Sequence, residues 1–166
     1  MFFSFSIHYF RITNSMMHEL ITVATGAAPF AEVDAAIPLA ISFGFTPLKA
    51  YLFATIGNII PLLPLLWFWR HGTEFLSVRS VRLRKLFDWV FAHTRAKYGK
   101  RLEVGGLVGI VVLLALPIPL AGAWTMTVLA FLFDFPFWKS FYAIVLGVVL
   151  GALVVLGITL GAVHFI

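Results

Sequence analysis

Apolar residues occupy this chain in long blocks, without the short-period alternation of a half-buried strand or the one-sided stripe of a surface helix. Four blocks stand out: Leu20 to Phe45, Pro47 to Trp69, Leu102 to Phe135, and Phe137 to about Val163. A polar, basic segment over 70–101 separates the second from the third. Blocks two and four are long enough to cross a bilayer, which takes roughly 20 helical residues for about 30 Å of hydrocarbon. In block two, YLFATIGNIIPLLPLLWFW starts at Tyr51 and ends in an aromatic belt, Trp67 and Trp69, followed by Arg70. Pro61 and Pro64 each lack a backbone donor and should kink it. Block four carries Gly147, Gly151, Gly157 and Gly161. These form two small-x-x-x-small faces, suited to close packing within the monomer or against a second copy in a homo-oligomer.

Blocks one and three do not read as simple spans. Block three has 34 residues, and Pro117 and Pro119 divide it into arms of about 15 and about 16 residues. At 1.5 Å per residue each arm reaches only roughly 24 Å. Two short helices joined by a Pro-Gly turn predict a re-entrant hairpin. Block one repeats the plan: LITVATGAA, a break at Pro29, then AEVDAAIPLAISFGF. Non-helical backbone at membrane depth is tolerated only inside protein or against a water-filled cavity, which makes the two breaks functional candidates.

An ungapped shift of ninety residues aligns the two halves. Pro29 falls on Pro119, Ala31 on Ala121, Leu39 on Leu129, Ala40 on Ala130, Phe43 on Phe133, Phe45 on Phe135, Lys49 on Lys139 and Gly57 on Gly147. The expected fold is therefore an all-α integral membrane protein, a single membrane domain over 1–166 with one repeat over about 17–70 and a second over about 102–163. Each unit, hairpin plus span, makes one net crossing, so the second is inverted relative to the first. Inverted repeats are characteristic of secondary transporters, with the site at the repeat interface.

Composition and charge agree with the class. Apolar residues make up 61% of the chain and charged residues 11%, against about a quarter charged in soluble domains; mean hydropathy is +1.02. Nine of the twelve Lys/Arg lie between Arg70 and Arg101. In the linker 71–101, Leu76, Leu83, Phe87, Val90 and Phe91 share one helical face, while Arg82, Arg84, Lys85 and Asp88 lie elsewhere. This reads as a basic amphipathic helix on the membrane surface, cytoplasmic by the positive-inside rule, with Arg79, Arg82, Arg84 and Lys85 facing anionic lipid. The first fifteen residues read as an interfacial extension, with Met16 and Met17 as alternative starts. No cysteine is present, and no histidine spacing suits a metal. No cofactor, nucleic-acid partner or enzymatic activity is expected.

PFAEVDAAIPLAISFG resembles the P-x-x-E-x-x-x-x-I-P signature of the small multi-drug export protein family, and ALPIPLAGAW resembles its second signature, Pro-x-Pro followed by small residues, Gly and Trp. The Gly57-Asn58 pair and Pro61 also fit. The likeness covers about 17–160. The family is distantly similar to DedA-type proteins, so the resemblance implies paired re-entrant hairpins and transport of lipid-linked phosphates, phospholipids or drugs. Two departures matter. Relatives often carry Arg two residues after the glutamate, where this chain has Asp34, and DedA-type members often carry Arg in the second hairpin, whereas 117–136 contains no basic residue.

Glu32 and Asp34 are the first candidates for function. A charged group at bilayer depth costs roughly 2.5–3.5 kcal/mol and normally faces a cavity. One reading makes Glu32 a proton-titrating carboxylate coupled to substrate passage; a second makes it an anion held by free amides at a half-helix N-terminus; a third sets the hairpin so shallow that both acids are wet. Spacing i, i+2 sets Glu32 and Asp34 about 200° apart on a helix. Pro29, Pro38, Asn58, Pro117, Pro119, Gly122 and Trp124 are expected to line a cavity or shape the hairpin tips. Lys49 and Lys139 are expected to contact head groups or to snorkel; Asp134 with Pro136 predicts a turn. Two functions follow: a small secondary transporter of an amphipathic substrate, a drug-like cation or a lipid head group, proton-coupled through Glu32; or a non-transporting membrane scaffold that organises lipid.

Overall fold

The computed structural model describes residues 2–79, 81–116 and 121–164, with side chains chiefly over 15–71, 105–116 and 121–163. Among the described residues every regular element is helical: α1 (Phe2–Ala27), α2 (Glu32–Ser42), α3 (Pro47–Ile59), α4 (Leu62–Arg79), α5 (Val81–Ala115), α6 (Ala123–Leu132) and α7 (Phe137–His164). Two continuous apolar stretches are long enough to cross a membrane, Pro47–His71 and Phe137–Val163.

The turns after α2 and α6 are built alike. α2 ends on Gly44 at φ +81; Phe45 N donates to Ala40 O at 3.1 Å and Gly44 N to Ile41 O at 2.9 Å. α6 ends on Asp134 at φ +51, with Phe135 N donating to Ala130 O and Asp134 N to Phe131 O, both at 3.0 Å. Each pair of bonds satisfies carbonyls that a helix end leaves free, around one left-handed residue. Asp is among the few residues besides Gly that occupy this conformation at low cost, so the predicted turn at Asp134 stands. Each turn is followed at once by a long helix. Thr46 caps α3 by accepting from Lys49 N at 3.4 Å, with Pro47 at the first helical position.

Glycines set how closely the helices approach. α1 packs on α3 and α5 packs on α7. A Cβ on Gly57 would run into the Val23 backbone, and one on Gly147 or Gly151 into Leu114. The Gly147 and Gly151 face is thus used inside the chain, whereas Gly157 and Gly161 have open space around them. Between the helices the core holds Ala36, Ala40, Ala50 and Ala54 with the larger Ile37, Ile110, Met126, Leu129 and Ile144. Small residues at the contacts let apolar helices maximise van der Waals packing where lipid offers no hydrophobic gain.

Several boundaries differ from those read off the sequence. α1 extends back to Phe2, so its backbone is helical through the segment expected to be an extension, and the first arm is longer than LITVATGAA. Block two breaks once, at Ile60 and Pro61; Pro64 falls in the first turn of α4, where an amide has no partner within the helix to lose. The linker is helical but not a separate element: α4 runs through to Arg79, and α5 continues from Val81 to a kink at Gly106 (φ +52). The first arm of block three therefore starts after Gly106 rather than at Leu102, and its second arm, α6, has 10 residues rather than about 16, because the turn takes up its end. Pro117 and Pro119 lie outside the described residues.

Candidate functional site

The helix start at Glu32 is unusual. The four residues after α1 turn tightly, with Ala28 N donating to Thr25 O at 3.2 Å and Glu32 N to Ala28 O at 3.3 Å. Phe30 and Glu32 both take positive φ, +70 and +46. For non-glycine residues this conformation costs of order 1–3 kcal/mol and persists only where surroundings impose it. Pro29 and Phe30 are exposed at this turn.

The strained entry aims the Glu32 side chain inward, where it is 8% exposed. Its carboxylate sits on the N-terminus of α6, 91 residues further along the chain. Ala123 N donates to Oε2 at 2.7 Å and Trp124 N to Oε1 at 3.4 Å. The first amides of a helix lack intrahelical partners and carry the positive end of its dipole. The α6 N-cap, Gly122, supplies no side-chain cap bond, and Glu32 supplies the acceptor from the other half of the chain. A Cβ on Gly122 would collide with the Glu32 carboxylate, so a side chain there would displace the carboxylate from the amides.

Asn58 of α3 completes the shell. It is buried, and Nδ2 donates to Glu32 Oε2 at 3.3 Å. Trp124 Nε1 donates to the Ala27 carbonyl at 3.3 Å, tying the start of α6 to the end of α1. Glu32, Asn58, Gly122 and Trp124 are thus brought together. Asp34 is not: it faces outward on α2, as the angle between the two positions requires. Pro38 is exposed inside α2, away from this cluster.

Lys49 and Lys139 differ. Lys49 pairs with Glu19 and lies 4.4 Å from the Phe45 ring centroid; Lys139 is exposed. Among the described residues no group of three or more His, Cys, Asp or Glu is placed to hold a metal ion.

Sequence reasoning missed the role of the Ala123 and Trp124 amides, since backbone donors leave no residue signature. The available signal was register: a shift of ninety puts Glu32 on Gly122, the pair that meets here. It also missed two bonds linking block two to the second half, Trp69 Nε1 to Thr127 Oγ1 at 3.0 Å and Arg70 Nη2 to the Phe135 carbonyl at 2.5 Å.

No curated protein and no solved structure matches the chain. A protein-family model described as "Putative small multi-drug export protein" matches residues 32–154. That stretch opens at Glu32 and takes in Asn58, Gly122 and Trp124. The match covers most of the 166 residues, and the chain belongs to the small multi-drug export protein family.

Proposed function

We propose that this membrane protein is a small secondary transporter with two inverted, re-entrant repeats, and that Glu32 couples protons to passage of an amphipathic substrate, a drug-like cation or a lipid head group. The observation that carries the reading is the buried Glu32 carboxylate on the α6 amides. It is an ionisable group clamping one half of the chain to the other. Ionised, it accepts from Ala123, Trp124 and Asn58. Bonds to a charged acceptor are roughly twice as strong as neutral ones, so protonation weakens the clamp and lets the halves part. The matched turns after α2 and α6, and the matched packing of Gly57 and Gly147, support two equivalent units. The four-residue break between α1 and α2 fits a cavity-lining role at membrane depth. The basic linker fits a cytoplasmic position in a multi-pass cell-membrane protein.

One observation favours the scaffold reading. Glu32 is well provided with donors, as a permanent cross-brace would be. Glu32→Gln, reconstituted in liposomes beside the native chain, separates the two. Transport of a fluorescent lipophilic cation and of a labelled phospholipid is followed across a pH series. The transporter reading expects the Glu32→Gln protein to lose the pH dependence and most of the rate. An unchanged rate and pH profile sinks the coupling role. Absence of both transport activities from folded native protein favours the scaffold.

A further inference from the structure

Asn58 is 1% exposed. Its Nδ2 donates to Glu32 Oε2, while its Oδ1, equally buried, has no hydrogen-bond partner among the described residues. A buried acceptor left open costs about 1–3 kcal/mol, so its persistence beside an ionisable group calls for a use. The other partners of the carboxylate, the N–H groups of Ala123 and Trp124, are donors only. Donors satisfy a carboxylate, but a carboxylic acid also carries an O–H that needs an acceptor. Asn58 is the contacting side chain that holds both functions. A half-turn about its terminal torsion exchanges amide nitrogen for oxygen, in a torsion whose energy profile is broad.

We infer that Asn58 is the positioning residue for the proton on Glu32: its Nδ2 serves the ionised carboxylate, and its Oδ1, now open, receives the O–H of the protonated one. The inference rests on the proton-coupling reading above. The groups around the pair are compatible with it. Asp34, two residues along the same helix as Glu32, is exposed. On the packed helices, Glu19 of α1 and Lys49 of α3 are paired with each other, His18 of α1 stacks on Phe43, Tyr51 of α3 donates to the Val149 carbonyl, and Lys139 and Tyr142 of α7 are exposed. The described part of α6 contributes no acid or base.

Infrared difference spectroscopy of the full chain in liposomes during acid titration tests this. The carbonyl stretch of protonated Glu32 is assigned by its loss in Glu32→Gln. In Asn58→Leu, close in volume but without an acceptor, that band is expected at higher wavenumber, and the pH-dependent part of transport is expected to be lost. Asn58→Ser, which donates and accepts, is expected to restore both toward the native values. If Asn58→Leu does not fold, Asn58→Ala gives the same readout. A Glu32 band unmoved in Asn58→Leu or Asn58→Ala overturns the role of Asn58 and leaves proton binding at Glu32 standing. Absence of any Glu32-dependent band in the native chain overturns both.

Discussion

Positions 32 and 122 fall on each other when the sequence is shifted by ninety, and in the fold they face each other. The first half puts a carboxylate there; the second puts a glycine and two free amides. The turns after α2 and α6 are matched down to their hydrogen bonds. The difference teaches that two turns built alike need not frame two similar sites. Two carboxylates in contact would repel, and two glycines would leave both helix starts without an acceptor. One of each fills the space and satisfies the donors.

The largest effect is expected from removing that inequality. Gly122→Ala drives a methyl into the Glu32 carboxylate. It should lower stability by about 1–3 kcal/mol, as overpacking does, and abolish any transport that needs Glu32; denaturation in detergent and a liposome assay read the two effects. Comparable in stability, but without the effect on transport, are the glycines at the α1–α3 and α5–α7 contacts. Gly57→Ala and Gly151→Ala meet backbone atoms and should each cost about 1–3 kcal/mol. Gly157→Ala, with open space, should stay within about 0.5 kcal/mol, and a loss as large as that of Gly151→Ala would point to a second copy packed there.

Orientation is sharpened by labelling. Leu48 and Trp138, equivalent by the shift of ninety, are 67% and 60% exposed, and the chain has no native cysteine. Leu48→Cys and Trp138→Cys are expected to react with an impermeant maleimide from opposite sides of the membrane; reaction from one side would break the inverted reading. The smallest effect concerns the lysines. Glu19 pairs with Lys49, and the shift puts Gly109 where the matching acid would be for Lys139. The Lys49 pair is partly exposed, so Lys49→Gln should cost less than about 1 kcal/mol, and Lys139→Gln nothing measurable by thermal melting.

Much of the architecture was legible because it rests on residues with strong local preferences. Pro29 announced the first break, Asp134 with Pro136 the second turn, and the apolar blocks the long helices. Glu32 was legible because a carboxylate in such a run is costly wherever it faces. The kink at Gly106 was not, although adjacent glycines could have marked it: in an apolar run nothing tells which glycine bends the chain. The partner of Glu32 was the least legible of all. Its amides belong to Ala123 and Trp124, and every residue but proline carries that group.

The interruption at Ile60 and Pro61 separates two sets of contacts made by block two. Before it, α3 packs on α1 and α2 and carries Asn58 to the first half's carboxylate. After it, α4 packs on α6 and α5 and is fastened to the second half through Trp69 and Arg70. These two sets of contacts thus meet at two residues in the middle of one apolar stretch. Ile60 keeps helical φ and ψ, −50 and −49, so one near-continuous helical rod carries both Asn58 and the fastenings at Trp69 and Arg70.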